Sequence, residues 1–126
     1  MPPAEGDFLA GVSMVFSEKL ASQYRDLKQE VVGCLLLMQV GAFMQVMGAD
    51  ARTVSAVTGL KLQMAGDVDA PVVVGGFPKS GLDAYIGKLV RAGRSVAIAL
   101  QDEGKGRSIT EMIRLEGEPA ASRSAG

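Results

Sequence analysis

The stretch from Leu35 to Gln45, LLLMQVGAFMQ, constrains the fold of this chain more than any other. An apolar run of this length that stops at a glycine reads as a buried strand, from about Cys34 to Val40. Beyond Gly41 the spacing allows the chain to stay extended through Val46 before it turns at Gly48. In such a chain Phe43 and Gln45 project from one face, because strand side chains alternate. A ring beside a carboxamide suits two roles. It can pack in the core, the usual fate of a phenylalanine after an apolar strand. It can also wedge into a base stack while the amide touches a base edge. The residues alone leave both open.

What surrounds that strand follows from periodicity. Ser17 is placed to cap a helix through about Gln29, with Leu20, Tyr24 and Leu27 on one face. A second helix starts at Asp50 or a neighbour, turns Ala51, Val54 and Val57 inward and ends at Gly59. Leu60 to Met64 alternates as a short strand, Ala65 to Ala70 reads as a turn, and Pro71 opens a strand over Val72 to Val74. Ser80 is read as the cap of a helix from Gly81 to Ala92, whose stripe is Leu82, Tyr85, Ile86, Leu89 and Val90, with Gly93 beyond its end. Ser95 to Leu100 and Ser108 to Leu115 form two strands about a Gly-rich turn. The expected class is α/β (α+β): a mixed sheet of five to six strands flanked by about three helices. The expected organisation is an N-terminal arm over 1–16, one domain over 17–117 and a disordered tail over 118–126.

Composition removes several functions. The chain has no histidine and one cysteine, so the commonest general acid–base group and any structural zinc pattern are missing. Catalysis would rest on carboxylates and lysines, and no pair is spaced suggestively. A non-enzyme without metal or cofactor is the expectation. Cys34 reads as a small buried hydrophobe in a reducing cytoplasm. No apolar run approaches a membrane span, and the start MPPAEGDF lacks the basic residues of a secretory signal. Met38, Met44 and Met47 lie close enough to the apolar strand to be core filling.

Two segments imitate phosphate sites. VGGFPKSG, Val74 to Gly81, resembles a phosphate-binding loop, but Pro78 stands where a glycine N–H is needed, so a strand-to-helix turn is the better reading. Asp102 to Arg107 (DEGKGR) reads as a solvated hairpin tip. Net charge is −1, which counts against a strong autonomous nucleic-acid binder. Charge is local, however: Lys79, Lys88, Arg91 and Arg94 face one acid, Asp83, over that stretch, and these four are the candidate phosphate contacts.

Taken together the segments resemble the N-terminal mismatch-recognition domain of the MutS DNA mismatch-repair proteins. Gln23-Tyr24-Arg25-Asp26-Leu27-Lys28 looks like that family's Gln-Tyr-x-x-Leu-Lys helix. Leu35 to Gln45 aligns on its strand ending Gly-Asp-Phe-Tyr-Glu. Gly76-Phe77-Pro78, Leu82 to Ile86, Lys88-Leu89-Val90 with Gly93, Val96-Ala97-Ile98 with Gln101, and Glu111 to Leu115 follow in the family's order. The resemblance spans residues 17 to 117 and implies a mixed sheet flanked by helices.

By that resemblance Phe43 matches the ring inserted beside a mispaired base, and Gln45 the glutamate that hydrogen-bonds it. The family's Asp, Tyr and Glu around the Phe are Ala42, Met44 and Gln45 here, and Gln39 stands where an Arg is common. Gln45 keeps the reach of a glutamate and gains donors. The sequence shows no connector, lever, clamp or ATPase segment, so the expectation is a stand-alone module. It would bind mispaired, distorted or single-stranded DNA weakly, near about 10⁻⁴–10⁻⁶ M, and act through dimerisation or a protein partner. The alternative is a protein-interaction module derived from that domain that has lost mismatch binding.

Overall fold

Ser17 begins the first helix as its position implies: its hydroxyl accepts the Leu20 N–H at 3.1 Å, and α1 runs Glu18–Glu30. The computed structural model describes residues 16–104 and 106–115, so the expected arm over 1–16, Phe16 apart, and the expected tail over 118–126 lie outside the described residues. After α1 come β1 (Leu35–Val40), β2 (Phe43–Met47), α2 (Gly48–Thr58), β3 (Leu62–Asp67) and β4 (Ala70–Pro78). A 3₁₀ turn, Lys79–Gly81, leads into α3 (Leu82–Arg91), followed by β5 (Val96–Gln101) and β6 (Arg107–Ile113). The six strands form one sheet in the order β3-β4-β2-β1-β5-β6, with β1 and β5 parallel and every other pair antiparallel. With three α-helices among the described residues, this is the expected mixed α+β architecture.

Each face of the sheet is covered by a different layer. Leu20, Ala21, Tyr24 and Leu27 of α1 pack with Leu36, Met38, Met47, Val74, Ala97 and Ala99. On the other face α2 and α3 supply Ala51, Val54 and Leu89 to Leu35, Leu37, Met44, Val46, Phe77 and Ile98. β1 therefore lies in the middle of the sheet and is sealed on both sides, which is why its apolar run does not alternate. All three methionines near it are buried.

Three expectations need correction. The chain does not stay extended past Gly41; it reverses there. Val40 pairs with Phe43 across a two-residue loop, Gly41-Ala42, and Gly41 takes a φ of +64°. A glycine first in such a loop matches the twist of the flanking strands at no steric cost. Residues 65 to 70 are not all turn, since β3 continues to Asp67 and pairs with β4 down to Ala70. Val74 to Pro78 is strand rather than loop, and Ser80 lies within the 3₁₀ turn without capping α3, whose N-cap is Gly81. Gly75 suits β4 because a Cβ there would lie 2.8 Å from side-chain carbons of Leu60 and Leu62.

One buried polar cluster ties α1, β1 and α2 together. Asp50, in the first turn of α2, accepts the Leu36 N–H at 2.9 Å beyond the last β1–β2 pair, Met38 with Gln45. Lys28 bridges Asp50 (2.9 Å) and the Cys34 carbonyl, and the Tyr24 hydroxyl donates to the Leu36 carbonyl with Asp50 Oδ2 3.2 Å away. The Gln-Tyr-x-x-Leu-Lys segment thus reads structurally: its Tyr and Lys converge on one carboxylate.

Candidate nucleic-acid interface

The β1–β2 hairpin ends in a tip at which the carboxyl ends of β1, β4 and β5 meet the starts of β2 and β6. Gly41 and Ala42 are exposed and Phe43 is half-buried. Phe43 sits opposite Val40 on one side and Pro78 on the other, and it is a member of neither core cluster. The backbone next to it is fixed from β4, because the Lys79 N–H donates to the Ala42 carbonyl at 2.8 Å. Lys79 is exposed, so one cationic residue starts from the backbone next to the tip.

Gln45 lies two residues further along β2, on the same face as Phe43, between Met38 and Gly76. It is 1% exposed. Its side chain is therefore covered, whereas the ring two residues earlier is only half-buried.

The remaining candidate cations are not gathered around the tip. α3 starts beside Lys79 and runs about 15 Å along the sheet. Lys88 is exposed along it, with its ammonium 5.6 Å from the Tyr85 ring centroid, and Tyr85 in turn stacks on Phe77 at 3.8 Å. Arg91 ends α3, and Arg94 precedes Ser95, whose carbonyl accepts the Leu35 N–H at the opposite end of β1. Arg94 is thus about 16 Å or more from Phe43 along the strand direction. Of the four cations, only Lys79 shares the tip.

What does gather there is a set of uncharged side chains and one arginine. Gln39 and Gln101 hydrogen-bond the Gly41 backbone, and Arg107 reaches the Gln39 carbonyl and Gln23 Oε1. Partial burial lowers the Arg107 pKa from its ordinary value, and the guanidinium stays charged. Sequence reading placed Gln23 and Gln101 only within motifs and gave Arg107 no role. In the Gly-rich loop that follows β5, Asp102 Oδ1 already accepts the N–H groups of Gly104 (2.9 Å) and Gly106 (3.0 Å), so neither is left for an anion. Among the described residues no group of three potential metal ligands occurs, and no helix is long and apolar enough to cross a membrane.

Comparison with known proteins agrees with this geometry. The family model described as MutS domain I matches residues 18–116. The DNA mismatch repair protein MutS of Parabacteroides distasonis is 36% identical over 110 residues, 81% of this chain and 13% of its own length. That of Porphyromonas gingivalis is 37% identical over 107 residues, 79% of this chain and 12% of its own. The MutS of Methanothrix thermoacetophila is 37% identical over 92 residues, 71% of this chain and 11% of its own. The chain therefore spans only about an eighth of the length of these relatives. On the family match and these identities, the chain belongs to the MutS domain I family.

Proposed function

We propose that this chain is a non-catalytic DNA-binding domain that recognises mispaired or distorted DNA by inserting Phe43 into the base stack. The observation that carries this reading is the placement of Phe43: half-buried at an exposed hairpin tip and outside both core clusters. A ring held this way loses little protein packing when it moves against a base. Opening a base step costs a few kcal/mol, and less where the pair is already mismatched. Stacking on an aromatic returns about 1–3 kcal/mol per base. The balance favours insertion at weakened steps over intact ones, which is discrimination without any base-specific contact.

Lys79 supplies a phosphate contact beside the ring. Gln45 is the candidate for the base edge, and because it is covered, its side chain must rotate outward after the ring has opened the step. Lys88, Arg91 and Arg94 lie along and beyond α3, so they act only if the duplex runs along that helix. With a net charge of −1 the isolated domain binds weakly, near about 10⁻⁴–10⁻⁶ M, and acts through a partner, a second copy or high local concentration.

Titration of labelled homoduplex, mismatched and single-stranded DNA at low salt tests this. The 126-residue chain should prefer mismatched to intact duplex, and Phe43→Ala should abolish the preference while leaving the fold intact by circular dichroism. An unchanged preference in Phe43→Ala would remove the wedge. Gln45→Ala should cost less than Phe43→Ala, since base contact follows insertion.

A further inference from the structure

The parallel pairing of β1 with β5 ends at Met38 and Ala99, yet both strands run on, to Val40 and Gln101. Two carboxamides close the gap. The Gln101 N–H donates to Gln39 Oε1 at 2.8 Å, and Gln101 Oε1 accepts the Gly41 N–H at 2.6 Å. Gln39 Nε2 donates to the Gly41 carbonyl at 2.9 Å. Both backbone polar groups of Gly41 are thus held by side chains, one from each of the two central strands. Arg107 fastens the same point to the rest of the molecule, with Nε on the Gln39 carbonyl and Nη1 on Gln23 Oε1 of α1 at 2.8 Å.

We propose that Gln39 and Gln101 form a latch that fixes the Gly41-Ala42 turn and so holds Phe43 in its inserting position, which makes them positioning residues for mismatch discrimination. This rests on the reading of Phe43 as the wedge. A two-residue loop sets the pairing of its own strands but not where its tip stands relative to β5; the two hydrogen bonds that involve Gln101 do, and Gln39 Nε2 braces the same turn from within β1. Long polar side chains lose rotamer freedom when fixed in this way. The return is a tip that need not be ordered when DNA arrives, and preorganisation of that kind raises affinity by lowering the cost of binding. Only insertion depends on where the ring stands. Phosphate contact with intact duplex does not, so loss of the latch reduces the mismatch-to-homoduplex ratio and leaves homoduplex binding alone.

The test compares Gln101→Leu, Gln39→Leu and Gln101→Glu with the unmodified 126-residue chain. Three quantities are read: the affinity ratio for mismatched over intact duplex, amide exchange at Gly41, and the thermal midpoint. Both leucine variants should lower the ratio about three- to tenfold, the range for losing one or two hydrogen bonds, and speed Gly41 exchange while the midpoint stays within a few degrees. Gln101→Glu keeps an acceptor for the Gly41 N–H and should retain the ratio. The latch is refuted if the leucine variants keep the full ratio in a chain where Phe43→Ala loses it, or if Gln101→Glu loses it as Gln101→Leu does. If Phe43→Ala itself has no effect, the wedge reading fails first and the latch with it.

Discussion

Asp50 is the residue on which most of the polar interior depends. Its carboxylate serves the Leu36 N–H and the Lys28 ammonium, and it sits in the first turn of α2, where the helix dipole favours an anion. Asp50→Ala would leave Lys28 with the Cys34 carbonyl alone and Leu36 without an acceptor. The ion pair is partly open, with Lys28 28% exposed, so the full penalty for a buried charge does not apply. A loss of about 2–4 kcal/mol is expected, read as a lower urea midpoint at unchanged slope. Tyr24 carries a pH signature of the same cluster. Burial, and then the neighbouring Asp50 carboxylate, push its hydroxyl well above the ordinary tyrosine value. The folded chain therefore keeps this proton at a pH where the unfolded chain releases it. The resulting stability is fully present below about pH 10 and declines as pH rises beyond it. Tyr24→Phe should be less stable than the parent at about pH 8, and the gap should narrow towards about pH 11 in paired urea titrations.

At the level of elements, Gly41 and Gly81 offer a matched pair. Neither has an atom within 4 Å of where a Cβ would stand, so space is not at issue at either. Gly41 has φ +64°, while Gly81 has φ −96° and ψ 7°, which any residue adopts. Gly41→Ala should cost about 1–2 kcal/mol and distort the β1–β2 tip, whereas Gly81→Ala, which meets no positive φ but replaces the glycine N-cap of α3, should cost less than about 1 kcal/mol and leave the tip unchanged. Thermal melts of the two variants against the parent decide it. The same tip marks the limit of what the sequence discloses. α3 was legible, because Leu82, Tyr85, Ile86, Leu89 and Val90 repeat at helical spacing and Gly93 follows with a φ of +85°. The reversal at Gly41-Ala42 was not. Apolar residues continue on both sides, Ala42 is no turn former, and Phe43 and Gln45 keep their i, i+2 relation whether the chain turns or not. The spread of the cations was hidden for a related reason: residues 79 to 94 are close in sequence, but a helix carries them from one end of the sheet to the other. The latch was invisible because Gln23, Gln39, Gln101 and Arg107 are ordinary polar residues brought together only by strand order.

At the scale of the whole molecule, the balance of charge decides how DNA meets the chain. A binder with no excess of cations gains little from counterion release, so its affinity should depend on salt only through the few cations that touch phosphate. If the duplex is met by the hairpin tip, Lys79 is the one of the four candidate cations in reach, Arg107 is already engaged with the Gln39 carbonyl and Gln23, and Arg91 and Arg94 lie about a helix length away. A plot of log K against log salt for mismatched duplex should then be shallow. Lys79→Ala should flatten it by about 0.9, the release expected of one phosphate contact, and should weaken intact and mismatched duplex alike. Arg91→Ala and Arg94→Ala should leave the slope where it was. Should Arg94→Ala flatten the slope as much as Lys79→Ala does, the duplex lies along α3 rather than across the tip, and a ring about 16 Å from that footprint has no step to enter.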